Sequence, residues 1–163
     1  MKEYGRIDVL INSASVFKKS KLTMTSLLSL DEHFAINLKA PYILMCAFAK
    51  AAKQGQVINF LDTDIDKDQT THIAYILSKK SLADLTRLAA VELAPKIRVN
   101  GICPGLILPP VHQPKADMTR RAAKLPLKRR GYPKHIEQSI AYLLDNDFVT
   151  GQFLYNDGGE RLI

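Results

Sequence analysis

Tyr75 and Lys79 stand four residues apart in a stretch that reads as one helix, so their side chains share a face, one turn apart. A lysine ammonium beside a phenol stabilises the phenolate and pulls the tyrosine below its ordinary pKa of ~10. Such a pair can act as a proton donor near neutral pH. The spacing alone is weak evidence, because Tyr and Lys meet at i, i+4 on many surface helices. Its weight has to come from the elements that would position it.

Composition narrows the setting. The chain has 163 residues, with 23 Lys+Arg against 16 Asp+Glu and a formal charge of +7. Hydrophobic residues make up 47% and charged ones 24%, ordinary for a globular domain, which excludes a disordered tail or a collagen-like chain. The length fits one domain, 1–163, able to bury roughly 70% of its unfolded surface. The two cysteines, Cys46 and Cys103, have neither metal-ligand spacing nor the pattern of a disulfide framework. No metal site is therefore expected, and a reducing cytoplasm is the expected compartment. Charges at Lys2, Glu3, Arg6 and Asp8 argue against a signal peptide. The longest apolar run, Ala40 to Ala49, is too short for a membrane span, which needs ~20 residues. Lys18-Lys19, Arg120-Arg121 and Lys128-Arg129-Arg130 are short, scattered and free of interleaved aromatics. They read as solvated surface rather than a nucleic-acid footprint.

Strands and helices alternate along the chain. Ile7 to Asn12 is a β-branched run that predicts a buried strand, and a polar loop follows from Lys18 to Thr25. Ser29 and Glu32 have capping-box spacing and predict a helix running to about Lys53. Pro41 lies within it and should bend or loosen it. Ala40 to Ala49 is apolar on every side, the pattern of a helix covered all round by a sheet and a second subunit. A strand is expected at Val57 to Leu61, then a polar loop from Asp62 to Thr71 and a helix from about Ile73 to Ala94, ended by Pro95. Ile97 to Ile102 reads as a strand, and Cys103 to Pro114 as a loop with four prolines and one glycine. A helix opens at Pro133 with Ile136, Ile140, Leu143 and Leu144 on one stripe, and Gln152 to Asn156 makes a last strand before Asp157-Gly158-Gly159. Strands separated by long helices imply an α/β fold with a mostly parallel sheet and helices on both faces.

In this order the chain resembles the short-chain dehydrogenase/reductase family over nearly all its length. GRIDVLINSAS is similar to that family's fourth strand and its Asn-Asn-Ala-Gly turn, and INLKAPYILMCAF to the helix that follows, with its asparagine at Asn37. YILSK, Tyr75 to Lys79, fits the Tyr-x-x-x-Lys signature; ELAPKIRVNGICPG and VTGQFLYNDGG resemble the sixth and seventh strands with their turns. The family usually has a serine thirteen residues before the tyrosine, where this chain has Asp62. On residues alone, Asp62 reads as closing an Asx-turn after a strand. With NSASVF, the Asn-x-x-x-Pro-Tyr helix and HIAYILSK, it resembles the branch of pteridine reductases and bacterial dihydromonapterin (dihydrofolate) reductases.

The resemblance implies NADPH-dependent reduction of a pteridine of the dihydromonapterin, dihydrobiopterin or dihydrofolate type. Tyr75 would donate the proton, Lys79 sustain its low pKa, Asn37 hold a water behind Lys79, and Asp62 relay the proton to a basic ring nitrogen. Asn12, Ala14 and Ser15 would line the adenosine side of the cofactor, and Pro104, Gly105 and Leu106 its nicotinamide. Phe17 would stack on the pteridine ring. The resemblance also implies a homo-oligomer, a tetramer in the family, with neither nucleic acid nor membrane as partner.

Glycine-rich phosphate-binding turns of the Gly-x-Gly-x-x-Gly or Gly-x-x-x-Gly-x-Gly type do not occur in the sequence. Against the family pattern, about two and a half βαβ units, on the order of eighty residues, precede Gly5 and are missing here. The sheet is therefore expected to hold only the family's strands four to seven, in order 4-5-6-7, with Ile7 to Asn12 as an unpaired edge. Two functional expectations follow: a pteridine reductase in full-length form, or a catalytically inactive truncated chain serving at most as a binding or assembly module.

Overall fold

The computed structural model describes residues 5–109 and 115–163. The N-terminal residues and part of the loop expected at 103–114 lie outside that range. The elements are β1 (Val9–Asn12), α1 (Leu27–Phe34), a π-helical turn (Ala35–Lys39), α2 (Ala40–Ala51), β2 (Gly55–Phe60), α3 (Ile73–Glu92), β3 (Ile97–Pro104), α4 (Lys115–Ala122), α5 (Pro133–Asp145), β4 (Phe153–Asn156) and a 3-10 turn (Glu160–Leu162). The four strands form one sheet in the order β1-β2-β3-β4, every pair parallel. This is the expected architecture.

Strand pleating sends alternate residues to opposite faces, and each face has its own cover. Val57 and Val99, paired in register, meet Met45 and Phe48 of α2 and Ala89 and Ala90 of α3. Farther along the same face, Leu61 and Cys103 pack on Leu82 and Ala83 of α3. On the opposite face Ile58 and Ile102 pack on Leu143 of α5, with Ile136, Ile140 and Leu154 around them. Arg98 closes the C-terminal end of α5 by donating to the carbonyls of Leu143 and Val149 at 3.0 Å each, and its other nitrogen holds Gln56 Oε1 at 2.9 Å. A cation is favoured there by the exposed carbonyls and the negative end of the helix.

One local expectation needs correction. The first helix is not capped by a Ser29–Glu32 box; it begins three residues earlier, where the Ser26 hydroxyl accepts the Ser29 N–H at 3.2 Å. Glu32 is drawn away by Lys18, whose ammonium lies 2.6 Å from it. Farther along, the helix reaches Ala51 and is loosened at Pro41, as expected. Pro41 has no N–H to offer the carbonyl of Asn37, and the chain widens into a π turn just before it, Ala40 N–H bonding back to Ala35. The apolar stretch Ala40 to Ala49 turns one face to the sheet. Met45 and Phe48 face the sheet, whereas Tyr42, Ile43 and Leu44 are exposed. Helix α4 was not expected; its Met118 and Ala122 pack with Leu106 and Leu125.

A buried polar seam crosses the sheet. Asn59, fully buried in β2, accepts from Asn12 Nδ2 at 2.8 Å and donates to Thr86 Oγ1 of α3 at 2.9 Å. Asn59→Ala would leave the Asn12 amide buried without its acceptor and is expected to cost about 1–3 kcal/mol. Equilibrium urea unfolding of the variant against the parent chain measures this.

Among the described residues β1 pairs with β2 alone, and Ile7, Val9 and Ile11 are 48%, 37% and 41% exposed. An unpaired apolar edge is a template for another strand. The isolated chain is expected to associate or precipitate through it, and Ile11→Lys to reduce that. Sedimentation showing a monodisperse monomer at tens of micromolar would contradict this.

Candidate active site

Parallel strands expose their carboxyl ends together, and the chemistry-bearing residues collect there. Asp62 follows β2 by two residues, Pro104 ends β3 with Gly105 just beyond it, and Tyr75 and Lys79 project from the first turns of α3. Asp62 divides its carboxylate between two tasks: Oδ1 accepts the Asp64 N–H at 2.8 Å, closing an Asx-turn, and Oδ2 accepts the Tyr75 hydroxyl at 2.5 Å. The Asx-turn read from the sequence is thus present, and it leaves the second oxygen for Tyr75. Lys79 is 2% exposed and gives its ammonium to the Phe60 carbonyl at 2.7 Å, two residues before Asp62.

The electrostatics differ from the sequence expectation. Burial and then the Asp62 carboxylate push the Tyr75 phenol upward, not downward. The cause is geometric: the hydroxyl donates to an anion, which favours the neutral phenol, while the Lys79 ammonium is 6.0 Å from the ring centroid. Burial lowers Lys79 to about 8, with Asp62 acting in the opposite direction. In this geometry Tyr75 is a held proton, and Asp62 is the group it is shared with.

Asn37 is a clamp. Its Oδ1 accepts the Val16 N–H at 2.8 Å, and its Nδ2 donates to the Val16 carbonyl and to Ser78 Oγ, both at 3.0 Å. Ser78 in turn donates to the Tyr75 carbonyl at 2.6 Å. The loop after β1 is thus fastened to α3 beside the tyrosine. A second fastening caps α3, whose own N-cap, His72, supplies no side-chain bond. Ser20 does so from the loop: its hydroxyl accepts the Ala74 N–H at 3.0 Å and its carbonyl the Ile73 N–H at 3.0 Å.

The other expected site residues divide. Ala14 and Ser15 are exposed at the end of β1, and Pro104 and Gly105 are partly exposed at the end of β3, on the side of Tyr75. The Asn12 side chain turns inward to Asn59, leaving only main chain for a ligand. Leu106 is buried against α4 and its carbonyl is taken by the Gly131 N–H, so its side chain does not face the cleft. Phe17 lies at the cleft, 55% exposed, stacked on His72 with centroids 4.2 Å apart and edge-on to Tyr75 at 4.6 Å.

A cleft of about 280 Å³ opens over Tyr75, lined by Phe17, Asp62, His72, Pro104 and Gly105. Its rim adds residues the sequence analysis missed: Lys19, Asp64, Gln69, Arg121 and Glu160. Burial raises both Asp64 and Glu160, and Arg121 lies 3.7 Å from Glu160. Local sequence carries no signal for this rim, because Arg121 comes from α4 and Glu160 from the turn after β4. Gly105 is required there by crowding: a Cβ would meet the Asp157 backbone at 2.6 Å. A larger hollow of about 720 Å³ lies near the other end of the strands, beside Asp8, Gly55 and Arg98, and contains none of these groups.

The family model described as enoyl-(acyl carrier protein) reductase matches residues 1–160. The uncharacterized oxidoreductase MT0954 of Mycobacterium tuberculosis is 32% identical over 166 residues, covering 96% of this chain and 63% of that protein. A dihydromonapterin reductase of Escherichia coli (strain 536) is 33% identical over 132 residues, covering 78% of this chain and 55% of its own length. Among solved structures, FolM alternative dihydrofolate reductase 1 from Brucella suis, in complex with NADP, superposes with a TM-score of 0.96 at 37% identity, over 99% of this chain and 67% of that one. The chain thus spans a little over half to two thirds of the length of these relatives. By its ordered motifs, its sheet and its Tyr75–Lys79 helix, this chain belongs to the short-chain dehydrogenase/reductase family.

Proposed function

We propose that the chain carries the catalytic half of an NADPH-dependent pteridine reductase. The observation that carries this reading is the 2.5 Å bond from the Tyr75 hydroxyl to Asp62. Reducing a C=N bond leaves a proton to be placed on a basic ring nitrogen, and a carboxylate coupled to a phenol can relay it. A ketone reductase instead needs a neutral hydroxyl at that point to polarise oxygen. The relatives named as dihydromonapterin and alternative dihydrofolate reductases support the same substrate class.

The donor set suits a nicotinamide cofactor. Lys79 spends one of its three N–H donors on Phe60, leaving two for ribose hydroxyls, and the Ala14–Ser15 and Pro104–Gly105 turns flank it with exposed main chain. Asn12, through its main chain, belongs to the first turn, and Leu106 helps shape the second from below. The cofactor, when bound, supplies the hydride. Tyr75 holds the proton, Asp62 passes it toward the substrate nitrogen, and Lys79 offsets the charge left on the phenol oxygen. Asn37 holds the loop after β1 against α3 and orders a water behind Lys79. Phe17 offers a ring face to the pteridine. The exposed apolar face of α2, with Leu88 and Val91 on α3, is the contact through which copies assemble into a cytoplasmic homo-oligomer.

In a form that includes a dinucleotide-binding half, Tyr75→Phe is expected to lower dihydropteridine reduction by about 10²–10⁴, the usual weight of a general acid. Asp62→Ser should depress pteridine reduction far more than reduction of a ketone. Steady-state assays with both substrates decide; an unchanged pteridine rate in Asp62→Ser removes the main support for this substrate class.

The 163-residue chain alone is expected to bind NADPH poorly, because its sequence has no glycine-rich turn to hold the pyrophosphate. Losing several charge-assisted hydrogen bonds, at about 1.5–3 kcal/mol each, weakens affinity by several powers of ten. Isothermal titration with NADPH is the measurement, and micromolar binding would contradict the expectation.

A further inference from the structure

His72 belongs to none of the roles above, yet three independent contacts hold it at the cleft. Its ring lies parallel to Phe17, with an interplanar angle of 11° and a centroid separation of 4.2 Å. Its main chain bridges to Ser20, three residues after Phe17, so both aromatic residues hang from one short pairing. Gln69 fixes the ring itself. The Gln69 Oε1 accepts the Thr71 N–H at 2.6 Å and the His72 N–H at 3.1 Å, which leaves the amide nitrogen facing His72 Nδ1 at 3.0 Å. Two backbone donors therefore decide which end of the amide is oxygen, and an N–H aimed at Nδ1 makes that nitrogen an acceptor. The ring proton is then assigned to Nε2, and the Thr71 hydroxyl, 2.9 Å from Nδ1, turns its proton to that nitrogen. Burial and Lys19 also act against the imidazolium.

We propose that His72, locked by Gln69, is a positioning residue of the substrate cleft: it backs one face of Phe17 so that the other face is presented to a planar heterocycle beside the Tyr75 hydroxyl. The role rests on the pteridine reading for the identity of that heterocycle. Phe17 alone is a loop residue with more than half its surface exposed and would sample several rotamers. Stacked on His72 and edge-on to Tyr75, at 84° and 4.6 Å, it becomes a fixed wall perpendicular to the phenol. Ring orientation is thus settled before substrate enters, which lowers the ordering cost of binding.

Two measurements test this. In a ¹⁵N-labelled form that includes a dinucleotide-binding half, long-range ¹H–¹⁵N correlation should show His72 as the Nε2–H tautomer, with ring protons shifted upfield by Phe17. Phe17→Leu should abolish that shift, and Gln69→Leu should mix the tautomers. In a form that includes a dinucleotide-binding half, His72→Leu should raise KM for a dihydropteridine about three- to tenfold, the weight of one aromatic stack, with smaller changes in kcat and in KM for NADPH. His72→Phe, which keeps the stack, should restore KM. Should His72→Leu fail to fold, Gln69→Leu takes its place and should move KM in the same direction. An unchanged KM, or an equal fall in kcat for the Leu and Phe variants, overturns the proposal. A parent enzyme that turns over no pteridine sinks the pteridine reading alone. His72 is then judged by the spectrum, where an Nδ1–H tautomer or an unshifted ring overturns its role.

Discussion

The bond from the Lys79 ammonium to the Phe60 carbonyl sets the geometry on which the site depends. A lysine that is almost fully buried needs a partner, because an unpaired charge away from water is costly. The carbonyl at the last residue of β2 supplies one, and in doing so fixes the register of α3 against the sheet. One helical turn earlier, Tyr75 then falls beside the residue two places beyond that carbonyl, which is Asp62. The short Tyr75–Asp62 bond is a consequence of this register rather than a separate device. Together with burial, it also explains why the phenol is pushed upward: the register brings an anion to its hydroxyl, while the ammonium is bound to main chain.

Around this register, short polar side chains do the fastening that an apolar core cannot. Apolar contacts hold helices against the sheet but specify rotation and shift weakly, whereas a buried amide with two committed ends admits one arrangement. Asn37 and Ser20 fasten the loop after β1 to α3, one beside Tyr75 and the other at the helix start. Asn59 ties β1 to α3 across β2. The loop that carries Phe17 is thereby anchored on both sides of the ring, at Val16 and at Ser20. The cleft inherits its rigidity from these bonds.

The remaining surface is less complete. The sheet face opposite α2 and α3 is covered by α5 over β3 and β4, while the apolar residues of β1 stay exposed on it. The outer faces of α2 and α3 carry Ile43, Leu88 and Val91 in the open. Scattered apolar residues are ordinary on a protein surface, but a row along a sheet edge and another on paired helices are surfaces that call for partners.

Much of this was legible in the sequence because it depends on local pattern. The parallel α/β class followed from apolar runs separated by helical spacing, the strand order from the family resemblance, and the shared face of Tyr75 and Lys79 from 3.6 residues per turn. Proline at 41 marked a disturbed helix because a missing N–H acts on its own neighbours. Other features were decided only by contacts between distant segments. Ser29 and Glu32 had the right spacing for a cap, but Glu32 had a stronger partner in Lys18, fourteen residues away. Residues 115–122 hold few apolar side chains and became a helix by packing Met118 and Ala122 on Leu106. Asn12 marked a strand end that faces a ligand site, yet its side chain found Asn59 across the sheet. The direction of the Tyr75 shift belonged to the same class. The sequence by itself determined which proton-bearing groups share a helix; only the tertiary structure decided which charge lies nearest the phenol, because electrostatic interaction depends on distance in space and on burial, neither of which spacing along the chain specifies.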